Sequence, residues 1–558
     1  MIANFLNKYL CHIFLAVSLL CVGLFHEAYA CFAGVALAVL LIINHIRRGK
    51  TVIRLNLCFA AVAVMALFYG LSSFWAVDSG MALIGFFKFL PVLFFLLLAN
   101  QGEEKERLIF SLPYIAAGVA VLSVLLSFIP AFGDDFLVAG RLAGFFQYPN
   151  TFAAFILVGE LLLVSREKFR RFDWVVALCL IAAFIYTGSR TAYVVALVAN
   201  IISLLATKPR KQKALIFASA LALCAVGLGI LFAVGEGSAI LRRFQSFSFM
   251  ESTFLGRLLY YQDSLSTILS HPFGLGYKGY YFIQPSIQSG VYSVAFIHND
   301  LLQIMLDIGW VPAILLAAAA IKAIFFSKIS MGRRIALGAL CAHSLFDFNL
   351  QFVAVFFVFV LLCDDASGKE IVAESKAPMA IGLALLGAAS FYIGLGTGLC
   401  RIGQNELSYK IMPWYTDNEI VMITQCKDIA EANAMADKLL ARNDRSFFAY
   451  SVKARYFYSQ GDFGQMIAFK RIALEYAPFQ YDEYEDYAEM LINGINLYSK
   501  AGDMGSVEIC ARELIRLRER LHSLENRMSS LGKMIKDQPV LSFPQEIEDY
   551  ISRLEMTD

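Results

Sequence analysis

The chain has 558 residues, of which 59% are hydrophobic and only 16% charged, and its net charge is +2. It is too apolar for an ordinary soluble domain, and too nearly neutral to carry the basic footprint of a nucleic-acid-binding protein.

A bilayer core takes about 20 apolar residues per helix. By that measure the first 400 residues predict roughly 13 spans. They fall at about 5–25, 28–46, 55–75, 80–99, 107–129, 148–164, 172–188, 190–206, 213–234, 301–326, 333–347, 349–363 and 379–400. Ala28-Tyr29-Ala30 resembles a signal-peptide cleavage site. The apolar run before it is long and a second run follows at once, so an uncleaved helix is expected. Basic residues gather in alternate loops: Arg47, Arg48, Lys50 and Arg54; Lys105 and Arg107; Arg166 to Arg171; Lys208 to Lys213; Lys328, Arg333 and Arg334. The positive-inside rule makes these loops cytoplasmic. The N-terminus is then cytoplasmic, and Arg141, Arg190, the loop at about 235–300 and everything after residue 400 lie outside.

The sequence changes character after residue 400. Residues 401–558 are charged and tyrosine-rich, with amphipathic helices expected at Ala430–Arg442, Ser446–Gln460, Phe463–Ala477 and Tyr481–Lys500. Gly461-Asp462 and Ala477-Pro478 punctuate them in a way that resembles a short tetratricopeptide array. The tail reads as a partner- or glycan-binding scaffold or, equally, as a packed helical cap. Most of the 11 cysteines sit in apolar runs without CxxC spacing and read as small buried hydrophobes. Cys426 and Cys510, in the polar tail, leave a bridge open.

The outward polar residues are the candidates for chemistry, because charge at a membrane boundary is costly unless paired or used. Arg190 sits on a tight turn, Thr187-Gly188-Ser189-Arg190-Thr191-Ala192, where a guanidinium fork suits phosphate; snorkelling to lipid headgroups is the competing role. Arg257, Tyr261 and Ser264 share one face of an expected helix at about 253–270. Arg242 and Arg243, just before it, read as electrostatic rather than catalytic. His271 to Gly279 contains a literal G-x-G-x-x-G. It lacks the strand and helix of a dinucleotide site, so its glycines read as turn-makers. His298-Asn299-Asp300 opens the next span, with Asn299 or Asp300 as helix cap and His298 at the mouth of the bundle, able as a neutral imidazole to accept a proton. Arg141 either binds phosphate or closes its loop, and Pro149-Asn150 starts a span. His343 and Asp347, four apart, are expected on one helical face as a buried pair. Lys88 lies part-way into its span and needs a partner or an anionic ligand. Glu160 reads as structural. Asp134-Asp135 is an acidic pair without a neighbouring histidine, and no metal is expected.

Taken together, Gly188-Ser189-Arg190-Thr191-Ala192, Arg141…Gly144…Pro149-Asn150, Arg257…His271-Pro272…Gly274-Leu275-Gly276, His298-Asn299-Asp300-Leu301-Leu302-Gln303…Gly309 and His343-Ser344-Leu345-Phe346-Asp347-Phe348 resemble the bacterial O-antigen ligase and polymerase family. The resemblance covers about residues 130–365. It implies a broadly GT-C-like helical fold, which agrees with the all-α polytopic reading of about 12–14 transmembrane helices at 1–400. The soluble tetratricopeptide-like helical domain at 401–558 is not part of the minimal ligase pattern and is similar to tails on some polymerase-like relatives. It further implies a cofactor-free, metal-independent, inverting glycosyltransferase of the bacterial cytoplasmic membrane. The donor would be a glycan on undecaprenyl diphosphate. The acceptor would be a glycan or lipid, or in related branches a protein, with a protein partner through the tail also open. By motif, the catalytic residues fall on Arg190, Arg257 and His298, with Arg141 and His343 carried over less closely. Lys88, Tyr261 and Asn299 join Arg141 and His343 as expected diphosphate- or glycan-binding residues. A transporter of lipid-linked glycans is the competing reading, but no inverted halves are evident and the polar residues cluster on one side.

Overall fold

The computed structural model describes residues 2–101, 104–207, 214–215, 218, 252–365, 367–374, 376–536 and 538–556. Apart from residues 214–215 and 218, the expected span at 213–234 lies outside the described residues, as do Arg242 and Arg243. Helices make up 76% of the structure, which settles the all-α class. The first helices are α1 (Ile2–Leu20), α2 (Glu27–Arg48), α3 (Leu57–Ser72), α4 (Ser79–Ala99) and α5 (Glu104–Ser127). There follow the short α6 (Gly133–Phe136), then α7 (Pro149–Val164), α8 (Arg171–Tyr186) and α9 (Arg190–Ala206). Among the described residues, four helices are long and apolar enough to cross a membrane unaided, and shorter apolar helices pack among them. Together they form a polytopic membrane fold.

After the undescribed segment come α10 (Ser252–Ser270), α11 (Gly279–Ile287), α12 (Asp300–Ile308), α13 (Trp310–Ile321), α14 (Met331–Ser344), α15 (Val353–Cys363) and α16 (Lys376–Arg401). The centre of the bundle is α15, whose every residue is buried, with α4, α14 and α1 beside it. Outside them, α16 packs along α2, and the Ser390 hydroxyl donates to the Cys31 carbonyl at 2.9 Å. Strands Thr51–Leu55 and Lys369–Ala373 pair antiparallel and tie the two ends of the membrane region together.

The expected span at 301–326 is two helices, which corrects the sequence reading. Gly309 breaks it with φ +87°, and a Cβ there would stand 2.1 Å from the Pro272 carbonyl. Breaking a helix frees carbonyls that must find donors. The glycine-rich turn supplies them: Leu275 N donates to Leu306 O at 2.6 Å and Gly276 N to Asp307 O at 2.9 Å. In return Trp310 N donates to Pro272 O at 3.0 Å. Gly274, at φ +80°, lies against the Asp307–Ile308 backbone where a side chain would collide. The G-x-G-x-x-G glycines therefore serve tight turns and close backbone approach.

From Asn405 onward short helices stack as successive antiparallel pairs. Helices at Ile429–Arg442, Phe447–Ser459, Phe463–Tyr476 and Tyr481–Ala501 match the expected segments within a residue, and Met504–Arg527 follows. Cys426 and Cys510 are not bridged: Cys510 is buried in the apolar core of the tail, while the Cys426 thiol donates to the Asp428 carbonyl.

Candidate active site

The turn between α8 and α9 is tight because Gly188 takes φ +59°. Arg190 is the first residue of α9, on this turn. Two distant arginines close on the same turn. Arg141 Nε donates to the Thr187 carbonyl at 2.9 Å, and Arg257 Nη1 donates to the Thr191 hydroxyl at 3.3 Å. Three arginines, 141, 190 and 257, are thereby gathered from segments far apart in sequence.

Asp347 joins them. It lies in the turn between α14 and α15 and its side chain has no exposed surface. Arg257 Nη2 stands 3.2 Å from Oδ2, and Asn150 Nδ2 donates to the same oxygen at 2.9 Å. The Tyr148 hydroxyl donates to Oδ1 at 2.8 Å. Arg141 Nη2 in turn donates to Asn150 Oδ1 at 2.6 Å, which links the second arginine to the carboxylate through one amide. His298 Nδ1 stands 3.4 Å from Oδ1, without the alignment of a formed hydrogen bond. Burial pushes the Asp347 carboxyl up, but the His298 imidazole and the Arg257 guanidinium outweigh it and hold the group well below the usual carboxylate range. Guanidinium groups brought to one turn in this way suit an anionic ligand.

His298 has φ +56°, a left-handed conformation that costs a non-glycine residue energy. Its backbone is held on both sides. The Tyr261 hydroxyl donates to the His298 carbonyl at 2.7 Å and to Leu345 O at 3.0 Å. Asn299 caps α12 by accepting from Leu302 N at 3.1 Å, and its Nδ2 donates to Leu345 O at 3.0 Å. Burial raises the Tyr261 phenol above its ordinary value, so it stays a donor. The imidazole packs edge-on to Phe348, with ring centres 4.9 Å apart, and is 21% exposed, enough for an incoming group to reach it.

The structure thus brings Arg141, Arg190, Arg257, Tyr261, His298 and Asn299 to one end of the bundle. Lys88 and His343 are engaged elsewhere. Lys88 Nζ donates to the Tyr277 hydroxyl at 2.9 Å and to Gln351 Oε1 at 3.3 Å, among the rings of Phe25, Phe89 and Phe296. His343 is buried, with Nδ1 2.9 Å from Asn349 Nδ2. The expected His343–Asp347 pair does not form, because α14 ends at Ser344 and four-residue spacing no longer puts the two on one face. Sequence reasoning missed Asp347 as the hub, and Tyr148 and Asn150 as its ligands. A carboxylate in so apolar a stretch was the available signal. Among the described residues no group of three His, Cys, Asp or Glu side chains is placed to hold a metal ion.

Residues 175–317 match the family model described as O-antigen ligase. This matched region supports the O-antigen ligase and polymerase family. The match spans about a quarter of the sequence; it takes in Arg190, Arg257 and His298 and stops short of Asp347. No curated protein matches the chain. The match to an O-antigen ligase domain supports ligase- or polymerase-type membrane function in polysaccharide biosynthesis, a coarse glycosyltransferase-like activity.

Proposed function

We propose that the chain takes a glycan from an undecaprenyl-diphosphate carrier and passes it to an acceptor hydroxyl, as a ligase or as a polymerase. One observation carries this: Arg141, Arg257 and the Arg190 turn meet the His298 imidazole around the buried carboxylate of Asp347. As the sugar–phosphate C–O bond breaks, the electron pair leaves with the diphosphate and negative charge grows there. Guanidinium forks bind phosphate oxygens through paired donors and gain most where that charge is greatest, in the transition state. His298 orients or deprotonates the acceptor hydroxyl on the opposite face of the sugar. A direct displacement inverts the anomeric centre, and the scheme routes no step through a metal. Asp347 positions Arg257 and His298 without touching the sugar.

The basic loops at the other end of the bundle support an extracytoplasmic site in the cytoplasmic membrane, with the N-terminus inside and the tail outside. The paired helices of the tail suit a tetratricopeptide-like scaffold that holds a partner or acceptor near the cleft.

The test is transfer in vitro. The purified chain is given a defined undecaprenyl-diphosphate oligosaccharide and candidate acceptors, and products are read by mass. Ladders identify a polymerase and single additions a ligase. Arg257→Ala should lower turnover about 10²- to 10³-fold, the usual cost of losing one charge-stabilising donor. Undiminished transfer by that variant, or translocation of the donor without any product, would sink the proposal.

A further inference from the structure

A second polar concavity lies at the opposite end of the bundle. α2 starts with Glu27, which accepts from Tyr277 beside the Lys88 network, and ends at Arg48. Its 22 residues rise about 33 Å, close to the thickness of a bilayer hydrocarbon core of about 30 Å. The last turn of α2 therefore sits at headgroup depth. There, between α1, α2, α4 and α5, lies a cavity of about 220 Å³.

Its lining is divided. The inner wall is aliphatic, with Leu40, Leu98 and Leu108 among its residues. The outer wall is polar and basic: Asn44, Arg47, Arg48, Gln101 and Lys105. Among the described residues lining it there is no carboxylate. The basic wall is fixed in place. Arg48 Nη1 donates to the Gln101 carbonyl, and the Gln101 side chain bonds both the amide and the carbonyl of Val52, at 2.9 and 2.8 Å. Lys105 is held by Asp364 at 2.8 Å, which neutralises it. Asn44 Nδ2 is buried and has no hydrogen-bond partner among the described residues. A buried donor without an acceptor is costly, and one at a basic cavity points to an anionic acceptor. Ile43, Arg47 and Arg48 are exposed, so the cavity reaches the membrane-facing surface.

We propose that this cavity binds the phosphate of an anionic phospholipid. Arg47 and Arg48 pair with its charge, Asn44 Nδ2 donates to a phosphate oxygen, and the first acyl carbons lie on the aliphatic wall. Free phosphate would share the polar contacts but leave that wall uncovered. Basic pockets between membrane helices at headgroup level are suited to such lipids.

Native mass spectrometry of the full-length protein in detergent tests this, with added dioleoylphosphatidylglycerol, dioleoylphosphatidylcholine or sodium phosphate. The wild type should retain phosphatidylglycerol in preference to phosphatidylcholine, and millimolar phosphate should not displace it. The exposed-charge double variant Arg47→Gln/Arg48→Gln should lose about tenfold or more in retention. Asn44→Leu should weaken it less. Arg512→Gln/Arg516→Gln, with the same charge change in the tail, should retain lipid as the wild type does. Phosphatidylglycerol, but not phosphate, should also raise the melting temperature of the wild type, a readout that needs no variant. Equal retention by the wild type and the Arg47/Arg48 variant, displacement by free phosphate, or no lipid-dependent rise in melting temperature would each overturn the proposal.

Discussion

Burial alone would drive the Asp347 carboxyl towards its neutral form; the imidazole of His298 and the charge on Arg257 reverse that. The folded-state value is therefore below the unfolded value of about 3.9. The stabilisation it gives is complete above that unfolded value and is lost as pH falls through the folded one. Melting curves taken from neutral pH downward should show the wild type losing stability more steeply than Asp347→Asn below about pH 4. Parallel curves would mean the carboxylate is not held by its neighbours. The strained backbone of His298 offers a second separation of roles. Asparagine tolerates a left-handed φ and places no imidazole in the cleft. His298→Asn should melt within about 1 kcal/mol of the wild type while losing most of its transfer activity. Retained activity would assign the residue a purely conformational task.

At the scale of elements, the break at Gly309 decides where the site loop sits. The freed carbonyls of Leu306 and Asp307 accept from Leu275 and Gly276, so the helix break and the docked turn support each other. Gly309→Ala should cost roughly 2 kcal/mol or more in thermal unfolding and loosen the turn, since it meets both a positive φ and the Pro272 carbonyl. Gly118→Ala, where a Cβ meets open space, is the control and should be neutral or mildly stabilising. This is also where the sequence stopped being readable. Apolar residues flank Gly309 on both sides, so the run scans as one span, and the partners of its freed carbonyls lie some thirty positions upstream. The same limit hid Asp347. Its spacing from His343 implies a shared helical face only if the helix continues, and tertiary packing ends it at Ser344. Arg190, Arg257 and His298 were legible because cations and an imidazole stand out against apolar sequence. Tyr148 and Asn150 were not, because a tyrosine and an asparagine at a helix start are ordinary.

At the scale of the molecule, the tail is fastened to the loop that carries the site. Lys278 pairs with Asp417 at 2.6 Å and with Glu27 at 3.1 Å; burial would lower the Lys278 ammonium, yet Asp417 and Glu27 raise it well above its ordinary value. Asp78 accepts from Thr416 at 2.6 Å. Ser529 N donates to Ser289 O at 3.0 Å, and Gln538 bonds both polar atoms of the Val291 backbone, at 2.8 and 3.3 Å. Gln538→Ala should therefore leave the bundle intact and speed amide exchange around residues 287–293. The expected local change is about 1 kcal/mol, and unchanged protection there would show the clamp to be incidental. The change of composition near residue 400 announced a separate helical region, but nothing in its sequence said where it would rest. That depends on matched backbone positions in two segments almost 250 residues apart. The pairing of Thr51–Leu55 with Lys369–Ala373 joins positions more than three hundred residues apart. During synthesis the early strand leaves the ribosome long before its partner exists. Contacts of such separation form late. The nascent bundle must remain open along that seam until the strand just before the last membrane helix is delivered, and this sets the order of its biogenesis.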